Sequence, residues 1–276
     1  MTDGAPQPPR PAPSELRLRS ISAVVLGAGV LLTTYFGGWP FTLVWTLVAG
    51  LIAYEWLSIV SQRNAVAGGI GVALAGFALS FWPASPAAIA GVAAFAALAG
   101  AVATPMVRDK LGLEACGVAY ALVFALVTPA LRAVPEFGLA IVVWTFAVVW
   151  LTDICAYFSG RTFGGPKLMP RFSPKKTWSG AIGGAAAGTI GGYAVWALTP
   201  QASEAVGPGL VVAGSFLASI VSQAGDLFES AIKRRFGTKD SSRLIPGHGG
   251  FLDRLDGYWA VLVLAGLGYF VFAAGH

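Results

Sequence analysis

Six carboxylates stand at or near the ends of long apolar runs: Glu55, Asp153, Asp226, Glu229, Asp253 and Asp256. An acid in such a place is costly in lipid and marks function by default. Asp226 and Glu229 are three residues apart, as are Asp253 and Asp256, so each pair shares one face of a helix. Two long polar stretches accompany them. Residues 159–179, SGRTFGGPKLMPRFSPKKTWS, carry five basic residues and no acid, whereas residues 229–256 carry six basic and four acidic residues. Carboxylates beside many Lys and Arg form the composition of a metal-assisted phosphate site. Magnesium is held by one or two carboxylates together with substrate phosphates. Two such ions stabilise both the attacking and the leaving oxygen of an in-line displacement, and cationic side chains neutralise the transferring phosphoryl group.

The stretch IPGHGGFLDRLDG at 245–257 concentrates these features. Its glycines let backbone N–H groups approach an anion, and the helix that follows turns its N-terminus to the same place. Asp253 and Asp256 then bring metal charge beside bound phosphate. His248, between glycines at the mouth of the acidic cluster, is a candidate orienter or acid–base group. Plainer readings exist for each pair. Acids in a first helical turn complement the helix dipole, and Asp226 and Glu229 could pair with Lys233 and Arg234. The convergence of all these groups with two basic stretches weighs against them.

The elements that must position these residues are membrane helices. The 276 residues are 56% hydrophobic and 11% charged, with mean hydropathy +0.71. About nine apolar runs approach bilayer-spanning length: 20–37, 39–60, 65–82, 86–104, 114–131, 137–158, 180–199, 208–228 and 257–275. Backbone groups in lipid must be satisfied internally, so such runs are helices. The expected fold is an all-α polytopic membrane protein of about nine transmembrane helices. A cytosolic N-terminus places 17 of the 18 basic residues on the inner side and leaves only Arg132 outside. That bias sets the N-terminus cytosolic and the C-terminus outside. It also assigns the net charge of +5 to the cytosolic face, not to nucleic acid. Residues 1–19, Pro-rich and polar, read as a disordered cytosolic tail without a cleaved signal peptide. Residues 20–136 read as N-terminal transmembrane helices. Residues 137–276 read as a catalytic transmembrane region with cytosolic loops 159–179 and 229–256. Cys116 and Cys155 lie inside helices at no metal-ligand spacing and read as small packing residues.

From Ser230 to Asp256, the run SAIKRRFGTKDSSRLIPGHGGFLDRLD resembles the signature of the phosphatidate cytidylyltransferases (CDP-diacylglycerol synthases). The matching positions include Ser230, Lys233, Arg234, Lys239, Asp240, Pro246, His248, Gly249, Gly250, Asp253, Arg254 and Asp256. DICAYFSGRTFGGPKL from Asp153, SPKKTW from Ser173 and GDLFES around Asp226 are also similar to that family. The resemblance covers residues 150–257. It departs at Ser179, where the family pattern SPKKTxEG carries a glutamate. The resemblance implies a magnesium-dependent transfer, with potassium beside the magnesium. The phosphate of phosphatidate attacks the α-phosphorus of CTP, CDP-diacylglycerol forms and pyrophosphate leaves. It implies Asp226 and Asp253 as metal ligands, with Asp256 next. Arg161, Lys167, Lys175, Lys176, Lys239 and Arg254 become candidates for the triphosphate and the lipid phosphate, Lys239 and His248 candidates for the catalytic set, and Asp153 an orienter of one of these groups or the holder of a metal-bound water. A homodimer in a bacterial inner membrane, with its active site on the cytosolic face, completes the expectation.

Three rivals differ in testable ways. A CDP-alcohol phosphotransferase needs an Arg and further aspartates after Asp256-Gly257, and none follows. A polyprenol or phytol kinase-like enzyme would share the nucleotide site but not the acceptor. An ion transporter would place its acids at the bilayer midplane, whereas these gather at one face.

Overall fold

The computed structural model describes residues 13–61, 64–81, 85–103, 110–247 and 249–274. Eleven α-helices run α1 (Pro13–Phe36), α2 (Gly38–Val60), α3 (Ala65–Leu79), α4 (Pro86–Ala103), α5 (Lys110–Leu122), α6 (Thr128–Arg132), α7 (Gly138–Phe163), α8 (Trp178–Ala197), α9 (Pro200–Ala205), α10 (Pro208–Arg235) and α11 (Leu252–Ala274). Over the described residues, each of the nine expected apolar runs is mainly helical. Among the described residues, five helical segments are long and apolar enough to cross a bilayer: α2, the continuous stretch Lys110–Arg132, α7, α10 and α11. The 15-residue α3 spans only about 22 Å at the α-helical rise, less than the hydrocarbon core of about 30 Å.

Three expectations are corrected. Residues 13–19, read above as tail, are the first turns of α1. The fold is not purely helical: β1 (Lys167–Met169) pairs antiparallel with β2 (Ser173–Thr177), Lys167 opposite Thr177 and Met169 opposite Ser173. The short α9 was not expected.

The core is aromatic and joins the two halves of the chain. Trp45 of α2 stacks on Tyr258 of α11 at 5.2 Å between ring centroids, and Tyr120 of α5 stacks on Trp259 at 4.5 Å. Between α5 and α6 the backbone widens into a π-helical turn, Val123–Val127. Pro129 has no N–H to offer the carbonyl of Ala125 four residues back. The Ser80 hydroxyl donates to that carbonyl at 2.9 Å, as a nonpolar surrounding requires. The Trp259 indole N–H donates to the Tyr120 carbonyl at 3.0 Å.

Helices α7 and α8 share the most extensive contact in the bundle among the described residues, and α8 is glycine-rich on that side. A Cβ added at Gly184 would lie 2.7 Å from the Thr152 carbonyl oxygen, so only glycine admits this approach. Arg132, the one basic residue on the expected outer side, donates to the Thr34 carbonyl at 2.7 Å and the Tyr35 carbonyl at 3.0 Å. It satisfies the last turn of α1 and complements its dipole.

Candidate active site

A cavity of about 1080 Å³ opens where α1, α2, α7, the β1–β2 hairpin, α8, α10 and α11 meet. Leu26, Val30, Val44, Val48, Val149 and Trp150 line one part of it. The other part is charged: six carboxylates (Asp153, Asp226, Glu229, Asp240, Asp253, Asp256) and six bases (Arg161, Lys167, Lys175, Lys176, Lys233, Arg254). One cavity thus joins an apolar wall to a polyionic one.

The hairpin brings the basic groups in. Gly164 and Gly165, at φ +62° and +99°, turn the chain out of α7 into the left-handed region that favours glycine. The Trp178 N–H donates to the Pro166 carbonyl at 3.0 Å and closes the loop. Thr177 is the N-cap of α8, accepting from the Gly180 N–H at 3.2 Å. Lys176 therefore precedes a fixed cap, and its Nζ reaches Asp226 Oδ2 on α10 at 2.5 Å. Ser179, which stands where the family pattern has glutamate, donates its hydroxyl to the Gly164 carbonyl and lies 3.1 Å from the Thr177 hydroxyl. It ties the start of α8 to the end of α7. Arg161 donates to the Tyr157 hydroxyl at 2.9 Å, one turn back along α7.

On α10 and α11 the acids divide into two groups. Asp253 is enclosed. Its Oδ1 accepts from Lys233 Nζ at 2.6 Å, its Oδ2 accepts from the Gly250 N–H at 2.9 Å and the Ser241 hydroxyl at 3.0 Å, and the Ser241 N–H reaches both oxygens. Lys233 also lies 2.7 Å from Glu229 Oε2, so this buried ammonium bridges two acids on neighbouring helices. Asp226 is more open than Asp253, with 31% of its side chain exposed against 7%, whereas Asp256 lies deep in the protein. Asp226 meets Lys176, and Asp256 uses one oxygen on the Gly257 N–H at 2.7 Å. Asp153, Asp226 and Glu229 all lie within electrostatic reach of Asp256, and Lys176 and Arg254 lie within reach of Asp153.

Among the expected site residues, Asp226, Asp253, Asp256, Arg161, Lys167, Lys175, Lys176 and Arg254 line this one cavity. Lys239 is exposed and does not line it. His248 lies outside the described residues. Glu55, expected at the same depth, sits under the loop before α11, where it accepts hydrogen bonds from the Ser241 and Ser242 hydroxyls and from the Phe251 and Leu252 N–H groups. The bridging part of Lys233 and the double contact of Ser241 were not read from the sequence. The signal available was the spacing of four between Glu229 and Lys233, which places them on one helix face.

The donor set suits a hard cation. Every acidic group here offers carboxylate oxygen, the ligand type of magnesium. No three acidic, imidazole or thiol side chains among the described residues are grouped closely enough to hold a metal alone. The charged wall is formally neutral, six acids against six bases.

A family model described as "Cytidylyltransferase family" matches residues 17–272. The phosphatidate cytidylyltransferase of Brucella suis biovar 1 is 43% identical over 264 residues, covering 94% of this chain and 95% of the relative. That of Brucella abortus biovar 1 is 43% identical over the same length and coverage. The enzyme of the same name from Haemophilus influenzae is 41% identical over 140 residues, 49% of this chain and 48% of the relative. Matched over nearly its whole length, and with its amphipathic cavity built from the residues of the signature, the chain belongs to the cytidylyltransferase family.

Proposed function

We propose that this protein is a phosphatidate cytidylyltransferase: it transfers the cytidylyl group of CTP to phosphatidate, giving CDP-diacylglycerol and pyrophosphate. The observation that carries the reading is the single cavity with an apolar wall and a polyionic wall. A lipid phosphate and a nucleotide triphosphate need both surfaces within one space. A phosphate oxygen of phosphatidate attacks the α-phosphorus of CTP, and the bond from that phosphorus to the bridging oxygen of pyrophosphate breaks. The nucleophile is already ionised, so no general base is required. Lys175, Lys176, Arg161, Lys167 and Arg254 hold and neutralise the phosphates.

Asp226, the more exposed acid, and Asp256, which lines the same cavity within its electrostatic reach, would hold a magnesium ion shared with the substrate phosphates. Such an ion, when bound, supplies Lewis-acid stabilisation of charge on the phosphoryl oxygens. Asp253 joins that set only if its contacts with Lys233 and Ser241 open. In this reading nine helices sit in the bacterial inner membrane, the N-terminus is cytosolic and the cavity faces the cytosol, where CTP is found. The positive-inside distribution of Lys and Arg supports that orientation.

The reading is tested with purified protein, labelled CTP, phosphatidate and magnesium. Labelled lipid is expected to form only when phosphatidate is present, and EDTA is expected to stop its formation. Product formation that survives complete chelation contradicts the metal-assisted reading. Replacing Lys175 and Lys176 together by alanine is expected to raise KM for CTP about tenfold or more, the scale of losing charge-assisted contacts of roughly 1.5–3 kcal/mol. Unchanged CTP kinetics would reduce the hairpin to a topology signal.

A further inference from the structure

Glu55 is fully buried in α2, at 0% exposure. A buried carboxylate is costly unless it is well hydrogen-bonded. Its four hydrogen bonds come from uncharged donors. Oε1 accepts from the Ser242 hydroxyl at 2.6 Å and the Phe251 N–H at 3.0 Å, and Oε2 accepts from the Leu252 N–H at 2.7 Å and the Ser241 hydroxyl at 3.0 Å. Two of these donors are backbone groups at the start of α11, where the helix dipole also favours an anion. The need arises locally. Helix α11 starts at Leu252, and Phe251, whose carbonyl accepts its first backbone bonds, holds the cap position with a side chain that has no acceptor to offer. A cap therefore comes from another helix. The fit is close enough that a methyl group at Gly250 would collide with Glu55 and the Ser241 hydroxyl.

The same loop residues also hold Asp253. Ser241 gives its N–H to Asp253 at 3.0 Å, and its hydroxyl lies 3.0 Å from both Glu55 Oε2 and Asp253 Oδ2. One hydroxyl proton serves one of the two oxygens at a time, so the carboxylates compete for it. The first turn of α11 is thus gripped on one side by Glu55 and on the other by the Asp253–Lys233 pair. We infer that Glu55 is a positioning residue of the active site: by capping α11 and fixing Ser241 it places Asp253, Arg254 and Asp256 against α10. It touches no substrate. The inference rests on the cytidylyltransferase reading and adds to it a residue from the N-terminal half of the chain.

The test uses the full chain purified in detergent, with wild-type protein assayed in the same preparation. Wild-type product formation upholds the function whatever the variants do. Glu55→Gln keeps the volume but sets an amide NH2 against groups that donate. It is expected to lower kcat about tenfold to a hundredfold, the scale of a small misplacement, with KM for CTP changed less than about threefold. Ser242→Ala removes one donor and is expected to lower kcat about threefold, on the scale of one neutral hydrogen bond. In the Glu55→Gln background that effect is expected to vanish, because the two residues act through one contact. Hydrogen exchange at 250–253 is expected to rise in Glu55→Gln while α7 stays protected. A kcat within twofold of wild type, independent multiplicative effects, or a loss that tracks only thermal unfolding would overturn the inference. If Glu55→Gln does not fold, Ser242→Ala decides alone: a lowered kcat at unchanged KM supports the inference, and wild-type kinetics overturn it.

Discussion

Asp226→Asn is expected to lower turnover by about three powers of ten, the scale of a lost metal ligand worth several kcal/mol. Asp226 faces the cavity from α10 and neutralises Lys176 at 2.5 Å. Asparagine keeps the shape and removes the charge that would attract a divalent ion. The magnesium concentration for half-maximal activity is expected to rise along with the loss, because the remaining donors hold the ion less well. Titration of activity with magnesium checks both. A variant with normal turnover and an unchanged magnesium requirement would place the ion elsewhere.

Asp253→Asn separates the two acidic roles. Asp253 spends its oxygens on Lys233, Ser241 and Gly250, so its substitution is expected to act through position more than through the ion. Turnover is expected to fall at least about a hundredfold, as in other active sites disturbed by roughly an ångström. Loss of one partner from a buried pair also costs about 3–5 kcal/mol, less here because Glu229 still pairs with Lys233 at 2.7 Å. A lower thermal midpoint in detergent, with the magnesium requirement near that of wild type, is the expected signature. A large rise in magnesium requirement would make Asp253 a direct ligand in the working enzyme.

Much of this architecture was legible because lipid simplifies the problem. A long apolar run in a bilayer has one solution, the helix, so the helical character of these runs was legible. Their ends were less legible. Hydropathy stops at the first charges, whereas the helices continue past them: α7 runs on to Phe163, α10 to Arg235, and α11 begins at Leu252. The β1–β2 hairpin was invisible because Ser-Pro-Lys-Lys-Thr shows no apolar alternation; its pairing depends on Lys167–Met169 and on the loop closed between Pro166 and Trp178.

The candidate site was legible as composition and motif, and most of its residues do meet in one cavity. What the acids do there was not legible. Glu55 and Asp153 both look like intramembrane acids at one depth. Only the fold shows that the first meets backbone N–H groups almost 200 residues away in sequence, while the second opens onto the cavity. Lys233 was visible as part of a motif, but its bridge to Asp253 depends on how α10 and α11 pack.

The most direct measurement compares two labels in CTP. Purified protein is incubated with phosphatidate and magnesium, with CTP labelled in either the α- or the γ-phosphate, and the lipid fraction is then counted. Cytidylyl transfer predicts that the α label enters the lipid and the γ label leaves with pyrophosphate. Recovery of the γ label in lipid would make the protein a CTP-dependent kinase, and label in neither lipid would contradict the transfer altogether.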